Sequence, residues 1–340
     1  MRYRLLGNTG LRVSELFFGA MTFFERGGFE RGGPDALGEY RAMLDAYADA
    51  GGNVIDTASA YGDSEEVLGE LLDGRRDRFV VASKYTISRD RDDPNASGNH
   101  RKNLTLTLER SLRRLRTDYL DLYWVHIWDR HTPVEETMRA LDDAVRAGKI
   151  LYVGISDAPA WLVSRANTLA EWRGWTPFAG LQVPYNLLQR DVERELLPMA
   201  EALGLSVAAW GPLAGGVLSG KFTGQGDPPA GTTRVDPGAL TPRDHAVARA
   251  VREVADEVGA TPAQVAIAWT RTRSAAVHPI VGARDVKQLT DNLGATEVVL
   301  PEESVRRLES ATAFELGFPG DFIAAAEADP WVFGEPANRP

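Results

Sequence analysis

The feature that most constrains this chain is a rhythm. Along 340 residues, a short apolar run, a polar residue at its end and a helical stretch follow one another repeatedly. The runs are SELFFGAM (14–21), GGNVIDTA (51–58), DRFVVASK (77–84), YLDLYWVH (119–126), KILYVGIS (149–156), FAGLQVPY (178–185), LSVAAWGP (205–212) and AAVHPIVG (275–282). Most are continuous rather than alternating, which is how strands read when both faces are buried, as in parallel sheets. The steps between Asp56, Lys84, His126, Ser156, Gln182 and Trp210 are 28, 42, 30, 26 and 28 residues, close to the roughly 30 residues of one βα unit. Eight strands alternating with helices predict an α/β fold, a closed parallel (β/α)8 TIM barrel, read as one domain over 1–340.

The intervening segments carry helical spacing. Leu104, Leu108, Leu112 and Leu115 recur at three and four residues, as do Met138, Leu141 and Val145. Thr132-Pro133 before Glu135-Glu136, and Thr261-Pro262 before AQVAIAW, read as helix starts. The opening RYRLLGNTGLRVSEL has an Asn-Thr-Gly turn between apolar arms, the pattern of a β-hairpin that plugs the bottom of the barrel. Two connections are long: the polar SRDRDDPNASGNHRK (88–102) and the Gly/Pro-rich TGQGDPPAGTTRVDPG (223–238), which has no regular-structure pattern. After residue 310 the rhythm stops, and an aromatic-rich tail carries Phe314, Phe318, Phe322, Trp331 and Phe333.

Composition removes several function classes. With no cysteine there are no disulfides, thiolate zinc sites or cysteine nucleophiles. A net charge of −10 and the lack of a long basic run argue against nucleic acid as a partner. No apolar run reaches a membrane-spanning length, and MRYRLLGNTG has no apolar signal core. A cytoplasmic protein, with no membrane partner, is the expectation. Oligomeric state is not legible.

In barrels of this kind the active site lies at the C-terminal strand ends. Asp56, Lys84 and His126 end three successive strands, and Tyr61 follows the first of them by five residues. Each alone is an ordinary ion pair or a packed core residue. Together they form an acid–base set. A phenol is a weak acid with a pKa of about 10, and a neighbouring ammonium lowers it. Asp56 could keep Lys84 protonated, Lys84 could polarise Tyr61, and His126 could orient a substrate oxygen. Such a set suits proton donation to a carbonyl oxygen while another species attacks the carbon. No water-activating or covalent nucleophile accompanies it, which leaves hydride from a nicotinamide cofactor. Trp210 offers a flat face for the ring, and Ser156, Asp157 and Gln182 could bind its carboxamide. GPLAGGVLSGKF (211–222) is expected to expose backbone N–H groups beside Lys221 for a pyrophosphate. VGARDVKQLTDN (281–292) places Arg284 before a helix, a second phosphate site.

These residues resemble one family. The chain is similar to the aldo-keto reductases across nearly its whole length, through YRLLGNTGLRVSEL, NVIDTASAYGDSEEVLGELL (53–72), SKY (83–85), DLYWVH (121–126), GKILYVGIS (148–156), QVPYNLLQR (182–190), WGPLAGGVLSGKF (210–222) and GARDVKQLTDN (282–292). The resemblance implies that Asp56, Tyr61, Lys84 and His126 are a catalytic tetrad, with Tyr61 the proton donor. It implies NADPH bound without a Rossmann fold, and a small-molecule carbonyl substrate. Ser156 and Gln182 match the carboxamide contacts and Trp210 the stacking aromatic. Leu213, Gly215 and Lys221 fall in the pyrophosphate loop. Gly282, Arg284, Gln288 and Asn292 fall in the segment that reads the 2′-phosphate and adenine. Two positions depart from the family pattern. Asp157 stands where Asn is frequent, removing an amide donor. Asp285 adds a negative charge beside Arg284, so NADPH is expected with NADH left open.

Rival readings are weaker. Gly215 to Lys221 reads G-x-x-x-x-G-K, but Phe222 follows where a P-loop needs Ser or Thr. A metal-dependent hydrolase wants several ligands at strand ends, and of five histidines only His126 sits at one. No metal site is expected. Two alternatives stay open by resemblance: a cofactor-binding subunit like those of potassium channels, and a reductase of nucleotide-linked deoxysugar intermediates. Phe23, Phe24, Trp124, Trp128 and the aromatic tail are candidate pocket walls, with core packing the plainer reading for Trp124.

Overall fold

The computed structural model describes residues 1–23, 36–223 and 235–334. Eight parallel strands close into a barrel: β3 (Phe17–Gly19), β4 (Val54–Asp56), β5 (Val80–Tyr85), β6 (Leu120–Val125), β7 (Ile150–Ser156), β8 (Phe178–Pro184), β9 (Ser206–Trp210) and β10 (Val277–Val281), with β10 pairing back to β3. Each predicted run contains one strand. Around them lie α1 (Ala36–Asp49), α2 (Ser64–Leu71), α3 (Arg101–Leu115), α4 (Val134–Arg146), α5 (Ala160–Arg173), α6 (Leu196–Ala202), α7 (Pro242–Val258), α8 (Pro262–Thr270), α9 (Val286–Leu293) and α10 (Glu302–Ala311).

The continuous apolar runs have a simple cause. Alternate side chains enter two different cores. Val54, Val80, Ala82, Leu122, Trp124 and Ala208 fill the barrel interior. Ile55, Val81, Tyr123 and Val125 point outward under the helices. The interior is a packed core and not a channel. Trp124, the largest side chain in it, needs small neighbours. A Cβ on Gly154 would lie 2.4 Å from the Trp124 ring, and one on Gly180 would lie 2.9 Å away. Trp124 is therefore core, and does not wall a substrate pocket.

The hairpin forms as expected: β1 (Tyr3–Leu5) pairs antiparallel with β2 (Arg12–Ser14). Leu6 and Val13 insert into the interior core with Phe17, and the Gly7 N–H donates to Ser206 Oγ at 2.8 Å, where β9 begins. Helix-start chemistry is half as expected. Thr261 caps α8 in a reciprocal box with Gln264. Thr132 does not cap α4: Pro133 holds the cap position, and the Thr132 hydroxyl donates to Asp129 at 2.7 Å.

The tail departs from the barrel rhythm but is not irregular. It forms α11 (Gly320–Ala328) and α12 (Pro330–Phe333). Phe314 is held between the guanidinium groups of Arg190 and Arg194, 4.7 and 4.9 Å from its ring centre. Phe318 and Phe322 are exposed. Phe24 and most of the Gly/Pro-rich 223–238 segment lie outside the described residues. Among the described residues no helix is long and apolar enough to cross a membrane.

Candidate active site

The C-terminal strand ends open onto a cavity of about 460 Å³. The strands deliver the chemistry in order. Asp56 ends β4, Lys84 lies one residue before the end of β5, His126 follows β6, Ser156 ends β7, Gln182 lies inside β8 and Trp210 ends β9. Tyr61 sits in the turn between β4 and α2, where its own N–H donates to Ala58 O at 3.0 Å and its carbonyl accepts from Ser64 N at 3.0 Å.

Lys84 is fully buried beneath this cavity. Its ammonium donates to Asp56 Oδ1 and, at 2.8 Å, to Thr57 O. Nζ also lies 5.0 Å from the centre of the Tyr61 ring. Burial pushes this ammonium down, but the Asp56 carboxylate and the Tyr61 phenol outweigh it, and the net direction is up. A buried lysine is thereby kept charged. His126 meets Tyr61 edge to face, ring centres 5.8 Å apart. Burial, and then the Lys84 charge, push His126 down to about 3. At neutral pH it is a neutral imidazole with one N–H to donate. Asp56, Tyr61 and His126 all face the cavity.

Gln182 Nε2 donates to Asp56 Oδ2 at 2.9 Å. A carboxylate only accepts, so the amide orientation is fixed and Gln182 Oε1 is left as an acceptor. Asp157, at φ 48, holds a left-handed backbone that Asp tolerates better than most residues. Its Oδ1 accepts from the Trp210 indole at 3.2 Å. Burial raises the Asp157 carboxyl, against the hydrogen bonds from Trp210 and Ser156 and the Lys84 charge. Ser156, Asp157, Gln182 and Trp210 all line the cavity.

The far end is lined by Leu213, Gly215, Lys221, Gly282, Arg284, Gln288 and Asn292. Burial and the Arg284 charge push the Lys221 ammonium down, while Asp285 raises it. Two cations thus share one cavity end. Two expectations need correction here. Several N–H groups of the 211–222 loop turn back on the loop: Ala214 to Gly211 O, and Gly216 and Leu218 to Leu213 O. One N–H of the first turn of α9 is also taken, because Asp285 caps it by accepting from Gln288 N at 2.7 Å. Asp285 is thus a capping residue. The P-loop reading fails too, since Phe222 is buried in the core.

Some cavity residues carried no sequence motif. Gly19, Met21 and Thr22, at and just past the end of β3, line the cavity, as do Ile280 and Val281 of β10. Thr22 Oγ1 and Asn292 Oδ1 are buried with no hydrogen-bond partner among the described residues. Thr86 was also missed. At φ 101 it is strained for a β-branched residue, and its hydroxyl accepts the His126 N–H at 3.3 Å. Of the expected pocket walls, Phe23 packs on Tyr40 in the core, and among the described residues neither Trp128 nor Phe314, Phe318 or Phe322 of the tail lines the cavity. Among the described residues no group of His, Asp or Glu is placed to hold a metal ion.

Residues 15–313 match the sequence model of the Aldo/keto reductase family. Similar proteins include norsolorinic acid reductase stcV of Emericella nidulans, 40% identical over 92% of this chain and 82% of that one. A norsolorinic acid reductase of Aspergillus flavus is 37% identical over 94% and 84%. An aryl-alcohol dehydrogenase of Pestalotiopsis microspora is 36% identical over 95% and 85%.

Proposed function

This chain belongs to the aldo/keto reductase family, and from that premise we propose that it is an NADPH-dependent oxidoreductase reducing an aldehyde or ketone to the alcohol. The observation that carries the reading is the buried Lys84 ammonium, bonded to Asp56 and set against the Tyr61 ring, with His126 edge-on to the same phenol.

The residues present suit a nicotinamide dinucleotide. A carboxamide has an NH2 and a C=O. Gln182 Oε1 and the Asp157 carboxylate are acceptors for the first, and the Ser156 hydroxyl is a donor for the second. Trp210 stands at the end of β9 with its indole N–H on Asp157, and would offer a flat face to the nicotinamide ring. Lys221 and Arg284 would hold the phosphates, and the Arg284 fork suits a 2′-phosphate. The cofactor, when bound, supplies the hydride.

The remaining chemistry belongs to the chain. Tyr61 gives its hydroxyl proton to the substrate oxygen. The Lys84 ammonium stabilises the negative charge left on the phenol, and Asp56 keeps that ammonium in place. His126, being neutral, does not compete as the proton source. Its N–H holds the substrate oxygen in line with the phenol. Lys84 is sealed from solvent, so its charge acts in a low-dielectric site where it counts for more than in water.

The substrate class is an aryl carbonyl compound. An aryl-alcohol dehydrogenase is among the similar proteins, and the cavity wall carries Met21, Trp210 and Ile280. The test is NADPH oxidation with 4-nitrobenzaldehyde, by the wild type and by Tyr61→Phe. Turnover by the wild type and a loss of about a hundredfold or more in the variant support the reading. Tight NADPH binding with no turnover on any carbonyl would instead make this a cofactor-binding subunit.

A further inference from the structure

Two indoles meet outside the cavity lining, one on the loop after β6 and one in the first turn of α5. Trp128 lies two residues beyond His126, and Trp161 lies four beyond Asp157. Both His126 and Asp157 face the cavity. The two rings pack edge to face, centres 5.4 Å apart and planes at 86°. Trp128 is half-buried and braced further by the Arg130 guanidinium, 5.8 Å from its ring centre. Trp161, in the first turn of α5, is 56% exposed although it is held on one side by Trp128.

A braced indole left wet is an unusual surface. Large aromatic side chains contribute most when buried, and apolar patches on a rigid support mark binding sites. The pair also stands close in the chain to the mouth. Ile127, between His126 and Trp128, is exposed, and Met21 and Trp210, which line the cavity, are each about two-fifths exposed. Exposed apolar side chains therefore stand both in the cavity lining and on the segments that leave it toward Trp128 and Trp161. Among the described residues neither indole of the outer pair has a hydrogen bond to a carboxylate, and flat ring surface is the chemistry on offer.

We propose that the Trp128–Trp161 pair is an outer subsite for the distal rings of a multi-ring aryl carbonyl substrate, whose reacting carbonyl sits at Tyr61 and His126. This rests on the reductase reading for the position of the carbonyl. The cavity volume, about 460 Å³, is that of a site for one ligand. A bound cofactor would take up most of that volume, so the further rings of a multi-ring substrate would lie over the rim. Offset or edge-on stacking against Trp161 then favours large flat substrates over small aliphatic ones.

The experiment compares anthracene-9-carbaldehyde with propanal in the wild type, Trp161→Ala, Trp161→Phe and Trp172→Ala. Trp172 is a control on the opposite end of α5, also exposed. The ratio of the KM for the anthracene aldehyde to that for propanal should rise roughly tenfold in Trp161→Ala. Most of that rise should be reversed in Trp161→Phe, and the ratio in Trp172→Ala should stay at the wild-type value. A ratio that moves less than twofold in Trp161→Ala, or equally in Trp172→Ala, overturns the subsite. Equilibrium binding of the anthracene aldehyde, followed by its own fluorescence, separates the two readings. If the wild type turns over neither aldehyde, the reductase reading falls, and the subsite stands or falls on whether Trp161→Ala raises this Kd by the same factor.

Discussion

Gln182 Nε2 donates to Asp56 Oδ2 at 2.9 Å across the floor of the cavity, although 126 residues separate them in the chain. The other oxygen of the same carboxylate accepts from Lys84. One buried acid thus ties the residue we propose for the cofactor carboxamide to the ammonium we propose to serve the proton donor. Gln182→Leu should raise the NADPH dissociation constant about tenfold, the worth of one good hydrogen bond plus a disturbed neighbour. Fluorescence titration reads it, and an unchanged constant would remove Gln182 from the cofactor site.

The Lys84–Asp56 pair is both structural and chemical, and two variants separate the roles. Lys84→Met alone leaves Asp56 buried with only the Gln182 amide as partner, and should cost about 3 kcal/mol of stability, at the low end for a broken buried pair. Lys84→Met with Asp56→Asn removes both charges and should restore most of that loss in urea unfolding. Turnover should stay down by orders of magnitude in both. A double variant that recovers activity along with stability would mean that the pair only holds the barrel together.

Arg284 tests cofactor choice. Asp285 caps α9 and its negative charge also reaches Lys221, so attraction for a phosphate at this cavity end falls to Lys221 and Arg284. Arg284→Ala should weaken NADPH by about tenfold or more and NADH by much less, since a guanidinium on a phosphate is a charge-assisted pair. Equal losses for both cofactors would show that Arg284 does not read the 2′-phosphate.

Much of this arrangement was legible in the sequence because a barrel converts spacing into position. Once strands recur at the length of a βα unit, the residue ending each one must face the same mouth, and Asp56, Lys84, His126, Ser156 and Trp210 follow directly. What could not be read depends on contacts between distant segments. Trp124 could be read as core or as pocket wall, with core the plainer reading, and Gly154 and Gly180, on the next two strands, make its place in the core. Asp285 looks like a charge facing a phosphate until its bond to the Gln288 N–H appears. The 211–222 loop looks like a nest of free N–H groups, yet its glycines let the chain fold its own N–H groups back onto Leu213 and Gly211. Thr86 gave no pattern at all, because backbone strain has no one-letter code.

The lower barrel makes a pH-dependent prediction that does not involve the proposed chemistry. His278 in β10 is fully buried, stacked on Phe17 with ring centres 4.9 Å apart. Its Nδ1 lies 3.1 Å from Ser14 O, a carbonyl that can only accept, so Nδ1 carries the proton. Burial pushes this ring down to about 4. The Ser14 bond and Glu15 oppose that, and Arg271 and Arg4 add to it. A histidine whose folded pKa is depressed is neutral in the native state and charged in the unfolded one between about 4 and 6.5. The unfolded state binds more protons in that window, so stability is full above it and falls as pH drops through it. One such proton contributes a slope of at most ~1.4 kcal/mol per pH unit. His126, pushed down to about 3, has the same sign. His278→Asn, which keeps a donor toward Ser14, should flatten the curve of unfolding free energy against pH by nearly one proton between about 4 and 6.5. The His126 share of the slope should remain. Urea unfolding of wild type and variant at half-unit pH steps reads the difference. Two parallel curves would mean that His278 already takes up its proton in the folded barrel.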